Sequence, residues 1–278
     1  MGKASWENIL ANPGTGDKTI VAGFDDTTPG QVYLYAGDKK SAGSPVVRAG
    51  LTGGSLYGIK VTDIDSEDTG IPSGTPFTLH NFGDASAKTA AELEDEGAAA
   101  GVTSFLRPED GAWDPARPND LYFHTTATFD GKSRLWRLRF DDATDPASGG
   151  VIDMLLEGDE DGGSGVRHHM LDNMAINGHG QLVLQEDPGN QSYLARIWQY
   201  DIASDTLTEV APHDPARFEP PTPAPFTQDE ESSGVIDVSA ILGSGWYLLD
   251  VQAHYPNGTA LVEGGQLLAM HIPPGKFS

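Results

Sequence analysis

The segment Pro108-Glu109-Asp110-Gly111-Ala112-Trp113 opens a pattern that recurs along the chain. The apolar segment Leu121-Tyr122-Phe123-His124 follows it, and Arg134-Leu135-Trp136-Arg137-Leu138 comes next. Short segments rich in Leu, Tyr, Phe and Trp and bounded by turn residues are typical of β-strands. An acidic turn followed by two strands therefore predicts a small antiparallel unit.

The same kind of unit occurs about four times. The four acidic openings are Trp6-Glu7-Asn8, Pro108-Glu109-Asp110, Leu171-Asp172-Asn173 and Asp229-Glu230-Glu231-Ser232-Ser233-Gly234. Repeated units of three to four strands predict an all-β, β-propeller-like fold with about four recognisable blades, in an incomplete or open ring. The innermost strands of a propeller face one channel, so we expect the acidic turns to lie close together in space.

Apolar alternation predicts the individual strands. They are Thr19–Phe24, Gln31–Ala36, Ser55–Val61, Leu121–Thr126, Leu135–Phe140, Val151–Leu156, Gln181–Gln185, Arg196–Tyr200, Trp246–Ala253 and Gln266–Ile272. One short helix is predicted at Ala87–Ala100, with Gly101 as its stop. We expect a single domain over residues 1–278, with an insertion at about 63–104, whose part Asp63–Gly83 is polar and turn-rich, and an extended proline-rich loop at 215–228.

The amino-acid composition excludes several kinds of site and disfavours several classes of partner. The chain has no Cys, which excludes disulfides, Cys-ligated zinc and a Cys nucleophile. Its formal net charge of -24 disfavours nucleic acid and anionic lipid as partners and suits cation binding. No apolar run reaches membrane-helix length, and Met1-Gly2-Lys3-Ala4-Ser5-Trp6 does not resemble a signal peptide. We therefore expect no membrane span and a chain that begins inside a fold, as a fragment would.

Several motifs resemble those of the PhoX-type alkaline phosphatases, a bacterial family also catalogued as a domain of unknown function. The motifs are Arg107-Pro108-Glu109-Asp110-Gly111-Ala112-Trp113-Asp114-Pro115, Leu171-Asp172-Asn173, Gln185-Glu186-Asp187-Pro188-Gly189, Asp229-Glu230-Glu231-Ser232-Ser233-Gly234, Gly245-Trp246-Tyr247-Leu248-Leu249-Asp250-Val251-Gln252-Ala253-His254 and Leu261-Val262-Glu263-Gly264-Gly265-Gln266-Leu267. They occur in the family's order, and the resemblance as a whole covers roughly residues 1–275.

The resemblance implies a calcium- and iron-dependent phosphomonoesterase, typically exported to the periplasm or the extracellular space, with metal ions on carboxylates at the propeller centre. Carried onto this sequence, it nominates as metal ligands Glu7, Glu109, Asp172 and Glu231, with Glu186 and Asp187 as weaker candidates. Arg107 and Arg167 are candidates for binding a substrate phosphate. Calcium suits such an oxygen-rich set.

Two departures from the family pattern keep alternatives open. The family's iron site uses a Cys, and this chain has none. The missing Cys counts against iron as a cofactor, whereas calcium stays the expected cofactor. The N-terminal part of the family pattern is also missing. The favoured interpretation is a PhoX-like phosphatase acting on a small phosphate ester. The alternatives are a non-catalytic, calcium-stabilised propeller module that binds or supports another molecule, and another esterase-type hydrolase on the same fold.

Histidine and serine give weaker signals. His168 and His169 are adjacent, so a strand would point them to opposite faces, which disfavours a joint zinc site. His124 and His254 follow predicted blade strands, but a structural role is favoured for each. Ser232 and Ser233 lack the turn motif and the His partner of a serine nucleophile.

Overall fold

The structure, a computed structural model, describes residues 1–129, 131–158, 167–191, 193–219, 226–258 and 261–273. Within them the chain is mostly β-structure with a few short helices. The strands are β1 Trp6–Ala11, β2 Lys18–Asp25, β3 Val32–Asp38, β4 Ser55–Val61, β5 Thr75–Gly83, β6 Pro108–Trp113, β7 Asp120–Thr125, β8 Arg134–Phe140, β9 Gly150–Glu157, β10 Leu171–Ile176, β11 Gln181–Glu186, β12 Arg196–Asp201, β13 Thr206–Pro212, β14 Glu230–Asp237, β15 Trp246–Asn257 and β16 Leu261–His271. The helices are α1 Pro45–Arg48, α2 Ala90–Ala100, α3 Pro215–Phe218 and α4 Ser239–Leu242.

The chain divides into two compact units. Unit 1 comprises Met1–Thr125 and Leu135–Leu156, and unit 2 comprises Thr126–Arg134 and Glu157–Ser278. The single-domain interpretation of the sequence stays a prediction. No helix among the described residues is long and apolar enough to cross a membrane.

Unit 1 is one nine-stranded sheet with the order β1-β2-β3-β4-β5-β9-β8-β7-β6. Two antiparallel meanders, β1 to β5 and β6 to β9, join where β5 pairs with β9. The strands at the two ends of this order are connected by side chains, since Trp113 Nε1 in β6 donates to Leu10 O in β1 at 3.1 Å. The sheet therefore nearly closes on itself, around a core that includes Phe24, Phe105 and Trp136.

Unit 2 contains two antiparallel meanders in separate sheets. The first has the order β10-β11-β12-β13, and the second has the order β14-β15-β16. Val183 and Ile197 of the first sheet pack with Tyr247 and Leu249 of the second in one apolar core. Together with the two meanders of unit 1, these sheets give four antiparallel strand units. Each meander begins at an acidic opening that the sequence predicts.

Helix α2 begins three residues later than predicted, because Thr89 caps it. The Thr89 hydroxyl accepts from Glu92 N at 3.3 Å, and Thr89 N donates to the Glu92 carboxylate at 2.9 Å. This reciprocal pair satisfies two N–H groups at the helix start. Gly101 ends the helix in the left-handed conformation, with φ 72°, as its position after the last helical residue predicts.

Two predicted irregular segments contain regular structure. Part of Asp63–Gly83, predicted as turn-rich, forms β5, which pairs with β4 over Val61↔Phe77 to Leu56↔Gly83. The proline-rich segment begins with helix α3 instead of an extended loop. Pro215 takes the first helical turn, where a missing N–H costs nothing, and Asp214 caps the helix by accepting from Ala216 N at 2.9 Å. Residues 220–225 of that segment lie outside the described residues.

Candidate functional site

The predicted acidic openings lie in strands, not in turns. Glu7 is in β1, Glu109 in β6, Asp172 in β10 and Glu231 in β14, each the first strand of its meander. The pairing of each of these strands with the next is irregular. A bulge adds a residue on one strand and re-aims the side chains around it, which hides the two-residue alternation of a strand. The sequence pattern therefore predicts the positions correctly but the local conformation wrongly.

In unit 1, Glu109 is buried and paired with Arg107. The Arg107 Nη2 atom lies 2.6 Å from Glu109 Oε1, and the Arg107 Nε atom lies 2.8 Å from Asp26 Oδ1. Arg107 has a φ of 57°, an uncommon conformation for a non-glycine residue. The Arg107 guanidinium therefore forms ion pairs with two carboxylates of the same chain. Glu7, by contrast, is exposed on β1.

Neighbouring side chains fix the acidic strand of unit 1. Asn8 Nδ2 donates to Asp110 Oδ1 at 2.6 Å, and the same oxygen accepts from Gly111 N at 2.7 Å. A Cβ at Gly111 would lie 2.5 Å from the Phe24 ring and 2.6 Å from Tyr122 O. Only a glycine therefore fits beside this bulge.

In unit 2, four carboxylates are close enough to interact. Burial raises the pKa of Glu231 to about 9, and the negative charges of Asp187, Asp172 and Asp250 add to the shift. Asp187 also shares a side-chain hydrogen bond with Glu231, and burial raises the pKa of Asp250 as well. The Glu231 side chain is 12% exposed, so water screens this repulsion poorly. We call Asp172, Asp187, Glu231 and Asp250 the acidic cluster of unit 2.

A histidine lies at the edge of this cluster. His254 Nε2 is 3.7 Å from Glu231 Oε2, and His254 Nδ1 is 3.1 Å from Glu263 Oε2. Gln252 Nε2 lies 3.3 Å from the same His254 Nε2. The contact with Glu263 orients the ring so that Nε2 faces the cluster.

The acidic cluster rests on polar contacts between the two sheets of unit 2. Gln185 Oε1 accepts from Val235 N at 2.9 Å, and Gln185 Nε2 donates to Ser233 O at 3.2 Å. Asn173 Oδ1 accepts from Ser233 Oγ at 3.1 Å, and Gly234 beside it has a φ of 61°. These amides hold the irregular part of β14 in place. They also occupy Ser233, which fits the sequence argument against a serine nucleophile.

Glu186, a weaker ligand candidate, has a structural environment. It is fully buried, and it accepts from His169 N at 2.8 Å, Arg196 N at 3.0 Å and Trp198 Nε1 at 2.7 Å. Burial raises its pKa to about 7, and the nearby charge of Arg196 opposes that shift. A carboxylate bonded in this way holds β11 and β12 together. Its nomination as a metal ligand stays a prediction.

Arg167 and three further histidines are the remaining candidates. Arg167 is exposed, with Nη1 3.5 Å from Glu157 O. His168 and His169 are buried, His168 beside Ser133 O at 2.9 Å and the His169 ring edge-on to Tyr193 at 5.1 Å. His124 is buried in β7.

The donor chemistry fits a hard cation, although the arrangement is not that of a finished site. Carboxylate oxygens suit calcium, which takes six to eight oxygen ligands. Among the residues that the structure describes, no group of three or more His, Asp or Glu side chains is arranged to hold a metal ion. The residues that sequence reasoning missed are Asp250, which lies inside a quoted motif, and Asp26, whose pairing with Arg107 spans 81 positions.

Comparison with known proteins gives a fold relationship. No protein-family model matches the sequence, and no curated protein matches it. The structure of Pseudomonas fluorescens PhoX in complex with vanadate, a transition state analogue, is similar with a TM-score of 0.67 and 15% identity. The match covers 96% of this chain and 53% of that chain, so the chain spans about half the length of PhoX. The chain therefore has a fold that resembles PhoX.

Two further hydrolases are more distant. A GH43 β-1,3-galactosidase with galactodeoxynojirimycin matches with a TM-score of 0.45 and 10% identity over 97% of this chain and 72% of that chain. Prolyl oligopeptidase B from Galerina marginata matches with a TM-score of 0.37 and 11% identity over 89% of this chain and 32% of that chain. Neither likeness is close enough to support an argument about function.

Proposed function

We propose that the chain is a PhoX-like, metal-dependent phosphatase that hydrolyses small phosphomonoesters and binds calcium on the carboxylates of unit 2. The ordered sequence motifs and the PhoX-like fold support the family. The interaction among Asp172, Asp187 and Glu231 is the observation that carries the metal assignment.

Electrostatics explains why this cluster needs a cation. Burial is the largest cause of the raised pKa of Glu231, and repulsion among carboxylates held close together in this poorly solvated place adds to it. A divalent cation removes the repulsion and allows all of them to ionise. Asp172, Asp187 and Glu231 would hold the ion, and Asp250 would contribute negative charge nearby.

When bound, calcium supplies positive charge that neutralises a phosphate ester and polarises water. This charge is necessary because a protein with a net charge of -24 otherwise repels the substrate. His254 Nε2, oriented by Glu263, is the chain's own candidate to carry a proton beside the cluster. The chain has no Cys to complete the family's iron site, so no step is assigned to iron.

Two arginines are candidates for binding the substrate phosphate. Arg167 is exposed, and among the described residues it has no ion pair that a ligand would have to break. Arg107 already contacts Asp26 and Glu109, which offset its charge. Arg167 is therefore the stronger of the two candidates for orienting a phosphate. We also propose export from the cell, on the family resemblance alone.

The test is hydrolysis of an aryl phosphate by the purified chain, in calcium, in chelator, and in calcium with iron. We expect turnover with calcium that chelator abolishes, and a loss of at least tenfold in Asp187→Asn. Asp214→Asn is the matched control, since Asp214 is an exposed helix cap and is not one of the carboxylates that interact with Glu231. Absence of turnover in every metal condition, from a chain shown to be folded, would overturn the proposal.

A non-catalytic, calcium-stabilised module is the second candidate. It is favoured by the ion pairs of Arg107 with Asp26 and Glu109, which offset the charge of an arginine that a phosphatase would use to bind phosphate. Calcium would then raise the melting temperature with no turnover. Turnover that depends on Asp187 would exclude this candidate.

A further inference from the structure

A cleft of about 440 Å³ lies in unit 2, between the sheet β10–β13 and the sheet β14–β16. It opens beside α3, and Leu249 and Val251 of β15 and Leu268 and Met270 of β16 line its apolar wall. Its volume falls within the range of small-molecule sites in proteins, about 300–1,000 Å³. We call it the α3 cleft.

The α3 cleft is separate from the acidic cluster. Glu230 and Glu231 are neighbours in β14, and successive side chains of a strand point to opposite faces. Glu231 belongs to the acidic cluster, whereas the Glu230 carboxylate lies 3.8 Å from His213 Nδ1 in the cleft. A ligand in the cleft would therefore lie on the other face of β14.

A row of rings forms the second wall of the cleft. The ring centroids of His213 and Phe218 are 5.7 Å apart, those of Phe218 and Phe226 are 6.3 Å apart, and those of Phe226 and Tyr255 are 5.2 Å apart. Gly264 makes room for the last ring, because a Cβ there would lie 2.2 Å from Tyr255 Cε1. Such a wall favours a flat aromatic ligand that can stack against it.

His213 is the most buried polar side chain of the cleft, whose lining also includes Asp214, Arg217, Tyr255 and Gln266. It is only 7% exposed, and neither of its ring nitrogens has a hydrogen-bond partner among the described residues. Burial lowers its pKa to about 4, so the ring is neutral at pH 7. A neutral imidazole offers one donor and one acceptor. A buried polar group without a partner costs free energy, which a ligand with a hydroxyl would recover.

Charge narrows the class of ligand further. Glu230 lies behind His213, and the chain as a whole is strongly negative. Arg217 lies over the Phe226 ring at 5.6 Å, but Asp214 already pairs with it at 3.0 Å. A carboxylate or phosphate would enter against this field without a strong partner. These charges disfavour an anion, and the apolar walls and the neutral His213 ring favour an uncharged ligand.

We propose that the α3 cleft binds a neutral aromatic small molecule whose hydroxyl hydrogen-bonds to the His213 ring. The site does not depend on metal binding or phosphatase activity, and its test measures binding alone.

The test uses equilibrium dialysis of the full chain with three probes of similar shape, 1-naphthol, naphthalene and 1-naphthoate. We expect one 1-naphthol site per chain, with naphthalene about fivefold weaker because it lacks the hydrogen bond. We expect 1-naphthoate to bind at least tenfold more weakly than 1-naphthol. Equal binding of all three probes, or no 1-naphthol binding at its solubility limit, would overturn the proposal.

Three variants locate the site. His213→Phe keeps a ring but removes both nitrogens, so we expect 1-naphthol to fall to the affinity of naphthalene, with naphthalene unchanged. Ala211→Trp places a large ring in the cleft and should abolish binding of both probes. Ala203→Trp, at an exposed turn residue, is the matched control and should bind as the native chain does. If Ala211→Trp fails to fold, Val251→Trp blocks the cleft from the opposite wall. Unchanged binding in a folded blocking variant contradicts the proposal.

Discussion

The substitution Glu231→Gln tests the electrostatics of the acidic cluster. Glu231 has its pKa raised from 4.5 to about 9, so folding takes up a proton at this side chain between those pH values. The stability that protonated Glu231 allows is fully present below pH 4.5 and is lost as pH rises towards 9. Each pH unit in this range lowers the free energy of unfolding by about 1.4 kcal/mol. The loss at pH 7 is therefore about 3 kcal/mol, which is an upper bound because relaxation of the cluster reduces it.

Glutamine has the shape of the protonated acid but no charge to ionise. In chelator, we therefore expect Glu231→Gln to be more stable than the native chain at pH 8, with the advantage shrinking towards pH 5. In calcium the order should reverse. The native chain gains about 2.7 kcal/mol at a hundredfold excess over its dissociation constant, whereas the variant has lost a ligand.

The assay is urea unfolding at pH 5 and pH 8, in calcium and in chelator. Glu209→Gln is the matched control, because Glu209 is a partly exposed carboxylate of β13 in the same unit. Calcium should raise the free energy of unfolding of Glu209→Gln by about as much as it raises that of the native chain. If Glu231→Gln were less stable than the native chain in chelator at pH 8, or gained as much from calcium, the electrostatic reasoning would be refuted.

Three further results are expected. Glu186→Gln should destabilise the protein by about 3 kcal/mol in urea, because it disturbs three buried hydrogen bonds and a buried ion pair, yet it should leave the gain from calcium intact. Thr89→Ala should cost about 1 kcal/mol by removing the cap of α2, and Thr89→Ser should restore most of it. The pKa of His213 is lowered from 6.5 to about 4, so its contribution to stability is present above pH 6.5 and lost as pH falls towards 4, by up to about 3 kcal/mol. His213→Phe should remove that contribution from the pH profile of unfolding, and a profile identical to that of the native chain would contradict the burial of a neutral ring.

Most strands after the first of each meander could be predicted from the sequence because their apolar alternation is regular, but β5 and β13 were not predicted. Ser55–Val61 coincides with β4, and the other predicted strands lie on observed ones within a few residues. The sequence pattern predicts acidic turns where the first strands of the meanders lie, which are β1, β6, β10 and β14. Bulges and polar side chains break the apolar alternation of these strands. β5 was missed because Pro76, Asn81 and Gly83 interrupt its apolar pattern.

The sequence predicts which acidic residues belong to the candidate site but not how they are buried or paired. The family resemblance nominates Asp172, Asp187 and Glu231, which interact in unit 2. Their high pKa depends on burial, and burial depends on sheet packing that no local pattern encodes. The pairing of Arg107 with Asp26 is likewise a long-range contact. Convergence of Glu7, Glu109, Asp172 and Glu231 on one channel stays a prediction.

Elemental analysis of the purified chain tests the central claim most directly. The protein would be loaded with calcium, dialysed free of unbound ions, and measured for calcium and iron per chain beside Asp187→Asn. We expect at least one calcium per native chain, less in the variant, and no stoichiometric iron. A folded native chain that retains no metal would contradict the assignment of the acidic cluster of unit 2 as a calcium site.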